Sequence, residues 1–154
     1  MAPPSTLRAS VTLLAVIGAG GAIGTAARYG TALAIPVHLS AYPVATFLVN
    51  VVGAVILGGV AALPTGWLPA HKLTQPAIGT GFCGGLTTFS TMSLEIYERA
   101  PGRLATLYAA ASLLAAPICA WAGHALVKIA HVGSPDQQPP PEQGPSKPPE
   151  KRQT

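Results

Sequence analysis

The 154-residue sequence predicts an all-α integral membrane protein with four transmembrane helices, the third of them broken. Three observations carry that reading. Only 9% of the residues are Asp, Glu, Lys or Arg, against roughly 25% in ordinary soluble domains. Hydrophobic residues make up 49% and the mean hydropathy is +0.44, which leaves too few charges to cover a soluble globule. The charges that remain act as punctuation: uncharged stretches run from Ala9 to Ala27, Leu39 to Ala70, Leu73 to Leu94 and Leu104 to Val127. Each meets the roughly 20-residue length needed to cross a bilayer.

The first helix is placed at Ser10–Gly30. Its Gly20-x-x-x-Gly24 spacing offers a face on which another helix packs closely. The run is too long for the apolar core of a signal peptide. Pro36 and Pro43 bracket a short connection to a second helix at Val44–Leu63, ended by Pro64, Gly66 and Pro69, with Trp67 as an interfacial anchor. The third run, Leu73–Glu98, crowds glycines and hydroxyls into Gly79-Thr80-Gly81-Phe82-Cys83-Gly84-Gly85-Leu86-Thr87-Thr88-Phe89-Ser90-Thr91. Two readings fit: a close-packed interface of small residues, or a broken helix whose freed backbone groups are buried in protein, bound to an ion or wetted by a cavity. The fourth helix, Leu104–Lys128, contains Pro117 and is expected to kink there. From residue 132 onward the prolines mix with Gln, Glu, Lys and Ser, a composition that builds no core and reads as a disordered or polyproline-like tail.

Charge and cysteine content exclude several classes. Apart from the adjacent Lys151 and Arg152, the nine basic residues are scattered singly, without the basic stripe and interleaved aromatics of a nucleic-acid binder, so no nucleic-acid partner is expected despite the formal charge of +4. Cys83 and Cys119 each lie in an apolar run, where free thiols behave as small hydrophobes rather than as a disulfide framework. No nucleophile and base pair, metal-ligand cluster or P-loop is present, so an enzyme is not expected.

Lysine and arginine near helix ends normally set membrane orientation. With four spans, Arg8, Lys72 and Lys128 fall on one side and Arg28, Arg99 and Arg103 on the other. Either a single residue decides the orientation, or the chain inserts both ways and pairs as an antiparallel homodimer.

Polar side chains within spans are costly and are functional candidates by default. Asn50 lies mid-helix with Thr46 one turn earlier on the same face. It is either an interhelical clasp or an amide donor aimed into a pore, since its NH2 offers two donors without a titratable charge. Thr87, Thr88, Ser90, Thr91 and Ser93 follow in the third run, and Tyr108 and Ser112 lie at an i, i+4 spacing in the fourth. Glu95 and His124 lie towards helix ends, so a mid-span proton relay is missing. A site rich in neutral donors suits a small anion, and the positive edge of the Phe89 ring suits one too.

Gly21-Ala22-Ile23-Gly24-Thr25-Ala26-Ala27-Arg28-Tyr29, Thr46-Phe47-Leu48-Val49-Asn50-Val51-Val52-Gly53 and Gly81-Phe82-Cys83-Gly84-Gly85-Leu86-Thr87-Thr88-Phe89-Ser90-Thr91-Met92-Ser93-Leu94-Glu95 together resemble the Fluc/CrcB family of fluoride channels, over roughly residues 10–128. The resemblance implies a dual-topology antiparallel homodimer with two pores, multi-pass in the cell inner (plasma) membrane, exporting fluoride from the cytoplasm. It divides the chain into an N-terminal segment at 1–9, a four-helix channel domain at 10–131 and the tail at 132–154. By the same resemblance, the backbone carbonyls of Gly84 and Thr87 would hold a structural sodium ion at the dimer centre. Asn50 would be the pore amide, and Phe89 would present its ring edge to fluoride. Ser90, Thr91, Tyr108 and Ser112 would form a polar track. Arg28 would attract anions or hold structure, and Glu95 would lie near the path or pair with Arg99. Met92 departs from the pattern, standing where the family usually has a second phenylalanine. A small four-helix exporter of organic cations would need a carboxylate in the first helix, which has none. A membrane anchor would leave Asn50 and the Thr-Thr-Phe-Ser-Thr run without a shared purpose.

Overall fold

A computed structural model describes residues 4–36, 38–63 and 71–132, which are helical apart from short connections, with no strand among the described residues. The Trp67 anchor, the breakers Pro64, Gly66 and Pro69, and the proline-rich tail from residue 133 lie outside them. The order is α1 (Pro4–Ala34), α2 (Val44–Ala62), α3 (His71–Gln75), a π-helical segment (Pro76–Cys83), α4 (Gly84–Leu86), α5 (Phe89–Glu98) and α6 (Arg103–Val132). Stretches of α1, α2 and α6 are long and apolar enough to cross a membrane: Leu7–Ala34, Val44–Ala62 and Arg103–Ala130. Their outward faces carry Leu14, Ile23, Leu48, Leu114 and Ile118 exposed, as befits helices whose solvent is lipid.

The helix bounds differ from the sequence reading in ways local chemistry explains. The first helix extends beyond Ser10–Gly30 at both ends. It starts at Pro4, whose fixed φ suits the first helical turn. It continues through Gly30 because Ile35 N–H still reaches the Thr31 carbonyl at 2.9 Å, and it stops just short of Pro36, which disfavours helical backbone in the residue before it. The last helix gains turns at its C-terminal end and is unbroken across Pro117.

The third run is broken, and the break is narrow. Only Thr87 (φ −80°, ψ 154°) and Thr88 (φ −149°, ψ 122°) are extended, between α4 and α5. The arm before it is not a regular α-helix either, since Pro76–Cys83 is π-helical; such segments are wide and rare and cluster at functional sites.

Glycine sets the spacing between elements. Packing pairs α1 with the π segment and α4, and α2 with α6. Any Cβ on Gly20 would collide with the Ala77 carbonyl, on Gly24 with the Phe82 carbonyl, on Gly81 with the Ile17 carbonyl and on Gly85 with the Gly21 carbonyl. The Gly20/Gly24 face thus meets a matching Gly81/Gly85 face, backbone against backbone. Gly58 and Gly123 do the same between α2 and α6, against the carbonyls of Ala120 and Val55. Gly30, by contrast, has open space where a Cβ would go. Gly24→Ala is therefore expected to cost about 1–3 kcal/mol by overpacking, lowering the thermal midpoint in detergent, while Gly30→Ala leaves it unchanged or slightly raised.

Candidate functional site

The site is built on the break. Ending a helix at Leu86 and restarting it at Phe89 leaves backbone groups that lipid cannot satisfy. Asn50, from the middle of α2, meets them: its Oδ1 accepts from Thr88 N–H at 2.8 Å and its Nδ2 donates to the Thr88 carbonyl at 3.1 Å. The side-chain amide pairs with the extended residue as a neighbouring strand would. Of the two readings left open for Asn50, the interhelical clasp is therefore present. Three residues on, Gly53 leaves room for the Thr87 methyl group. Thr88 then caps α5, its hydroxyl accepting from Thr91 N–H at 3.2 Å and donating to Thr91 Oγ1 at 3.0 Å. Thr87 closes the other side, its N–H and hydroxyl both on the Cys83 carbonyl at 3.0 and 2.9 Å.

Arg28 reaches the break from α1. Its Nε donates to the Gly85 carbonyl at 3.2 Å, beside the Thr25 hydroxyl at 3.5 Å. The break deprives this carbonyl of its regular helical continuation, and a cation supplies a charge-assisted substitute.

Glu95 corrects one expectation. It does not pair with Arg99 through its carboxylate; Arg99 Nη1 donates to the Glu95 backbone carbonyl at 3.0 Å, as a helix-ending arginine does. The carboxylate instead accepts from the Thr46 hydroxyl at 2.8 Å and the Tyr108 hydroxyl at 2.7 Å. One acidic group thus joins α2, α5 and α6 through two neutral donors.

Two cavities flank the break. The larger, about 830 Å³, is bordered by Asn50, Gly84, Thr87, Phe89, Met92 and Ser112, with an apolar wall that includes Leu57 and Leu113. The smaller, about 240 Å³, is bordered by Thr25, Arg28, Thr46, Thr88 and Thr91. Thr88 borders both, so the extended pair forms part of the wall between them. The predicted residues are accordingly divided: six line the larger cavity, Arg28 and Thr91 the smaller, while Tyr108 and Glu95 are tied to Thr46 on its wall. Ser90 is exposed, 3.3 Å from the Thr88 hydroxyl. Phe89 and Met92 diverge sharply: the ring is 71% exposed and the methionine 5%. Ser112 Oγ is buried beside the Tyr108 hydroxyl, one turn earlier on the same helix. Sequence reasoning missed Thr25 as a partner of the Gly85 carbonyl, a contact across 60 positions that no local pattern signals.

The profile of the family described as CrcB-like protein, Camphor Resistance (CrcB), matches residues 15–124. Among individual relatives, the chain is 42% identical over 104 residues to a fluoride-specific ion channel FluC 2 of Streptomyces avermitilis, covering 66% of each chain. It is 41% identical over 117 residues to a FluC 1 of Streptomyces coelicolor, covering 74% of this chain and 76% of that one. It is 37% identical over 117 residues to the FluC of Chlorobaculum tepidum, covering 74% of this chain and 93% of the relative.

Asn50→Ala would strand both polar groups of Thr88, at about 1–3 kcal/mol for each buried group left unsatisfied. Asn50→Asp keeps the acceptor for Thr88 N–H. Hydrogen exchange at the Thr88 amide is therefore expected to rise steeply in the alanine variant and to stay protected in the aspartate variant.

Proposed function

The chain belongs to the family of CrcB-like proteins, and from that membership we propose that it is a passive fluoride-selective channel through which cytoplasmic fluoride leaves the cell. It is a multi-pass membrane protein and not an enzyme. The observation that carries the reading is the Asn50 amide, which keeps an N–H beyond the one given to Thr88 and borders the cavity that Phe89 and Ser112 also line.

The Asn50 amide has two N–H donors, one of which goes to Thr88, leaving one for an anion. The Phe89 ring contributes its positive edge. Thr91, Ser90 and Tyr108 extend the line of neutral hydroxyls, and none of these groups needs to change protonation for a small anion to pass. Arg28, whose Nε holds the Gly85 carbonyl and which borders the smaller cavity, would hold structure or attract anions there. Glu95, engaged by Thr46 and Tyr108, orients hydroxyls along the path.

The same break suits a sodium ion. Asn50 takes Thr88 N–H, the donor that a continuous helix would offer to the Gly84 carbonyl. Gly84 and Thr87 both border the open cavity, and carbonyl oxygens are what a hard cation takes. Gly84 and Thr87 would hold the ion at the centre of an antiparallel dual-topology homodimer, where it supplies positive charge that draws carbonyl groups of two subunits together. The evenly divided arginines and lysines support two-way insertion into the inner membrane, and the segment His71–Glu98 would make the fourth crossing. An interior-negative potential favours anion exit by about 2.3 kcal/mol per 100 mV, so the channel needs no other energy source.

Fluoride release from liposomes containing the purified chain, read with a fluoride electrode after a potassium ionophore removes the opposing voltage, tests the proposal, with chloride-loaded liposomes as control. Fast fluoride-selective release is expected, much reduced in Asn50→Asp, whose added charge faces an anion. Absence of release from well-folded protein would refute it. Met92→Phe is expected to alter the rate while conduction persists; an unchanged rate would place Met92 off the path.

A further inference from the structure

Tyr42 lies just before α2, outside the three apolar motifs, yet its ring sits edge-on between two others. Its centroid is 5.3 Å from Tyr108 with an interplanar angle of 82°, and 5.6 Å from Phe47 at 74°. Tyr108 is fully buried and commits its hydroxyl to Glu95. The turn that carries Tyr42 is itself fastened. Arg99, at the end of α5, donates from Nε to the Ala41 carbonyl at 3.2 Å and from Nη2 to the His38 carbonyl at 3.3 Å, while Nη1 holds the Glu95 carbonyl. The planar guanidinium spreads over three carbonyls that a lysine ammonium does not span in this way. A closed circuit results: Glu95 backbone, Arg99, the 38–41 turn, Tyr42, Tyr108 and back to the Glu95 carboxylate.

We propose that Tyr42, held by Arg99, is a positioning residue that fixes the Tyr108 ring so that its hydroxyl stays on Glu95, and that this connection sets fluoride flux from a turn outside the spans. The flux consequence rests on the channel reading; the positioning itself does not. The ring edge of Tyr42 does the work, since an edge-to-face contact restricts the tilt of Tyr108 in a way an aliphatic side chain does not. The phenolic oxygen of Tyr42 is not part of the circuit.

Fluoride release and thermal unfolding in detergent are measured for the unsubstituted chain, Tyr42→Phe, Tyr42→Leu, Arg99→Lys, Tyr108→Phe and the double variant Tyr42→Leu/Tyr108→Phe. Tyr42→Phe keeps the edge and is expected to release fluoride at the unsubstituted rate. Tyr42→Leu and Arg99→Lys are expected to slow release about three- to tenfold, the scale of one aromatic pair. The double variant is expected to be no slower than Tyr108→Phe alone, because the hydroxyl that Tyr42 positions is already gone. Additive losses in the double variant, or a Tyr42→Phe as slow as Tyr42→Leu, would overturn the proposal, since a merely structural ring would act independently of the Tyr108 hydroxyl. Should the unsubstituted chain release no fluoride, the channel reading falls. The unfolding cycle still decides the positioning: non-additive midpoints support it and additive ones refute it.

Discussion

A helix broken among apolar neighbours is stable only if the backbone groups it frees are met by other parts of the protein, and here that need is answered chiefly by one side chain. Asn50 offers Thr88 an acceptor and a donor together; among side chains that do not titrate only an amide does both at once with fixed planar geometry. Everything around it supports that pairing. Gly53 seats Thr87, Thr88 caps α5, and Arg28 and Thr25 meet the Gly85 carbonyl on the far side. Remove the extended pair and the two cavities lose their common wall.

The second constraint is how close the backbones must come. A side chain on α1 reaches Gly85 only because Gly20 and Gly24 interlock with Gly81 and Gly85, carbonyl against Cα. Between membrane helices there is little hydrophobic gain to be had, so close van der Waals packing and Cα–H···O contacts carry the association. The glycines that make the chain look flexible in sequence therefore make it rigid in three dimensions. The π segment belongs to this arrangement: it presents Gly81 to α1 while Gly79 faces Leu57 and Val60 and Cys83 is buried.

The ionisable groups among the spans follow one pattern. Arg28 donates to a carbonyl, Arg99 to three carbonyls, and Glu95 accepts from two hydroxyls. Each charge is solvated by neutral dipoles rather than cancelled by an opposite charge.

Much of this was legible in the residue order, because burial in lipid imposes length and composition directly on the chain. Three of the four uncharged runs became the long apolar helices, the Gly-x-x-x-Gly spacing marked a packing face, and the glycine and hydroxyl cluster at 79–91 marked a place for either close packing or a break. Asn50 was legible as exceptional, since an amide in mid-span needs a reason. What the sequence left open was which partner each polar group takes. Whether Asn50 clasped another helix, whether Glu95 turned to Arg99 or to Tyr108, and whether Phe89 and Met92 shared an environment all depend on contacts across 13 to 61 positions. A helix face narrows a partner to a direction; only the packing of glycine on backbone, which sets how near the neighbouring element lies, decides which atom is within hydrogen-bond reach.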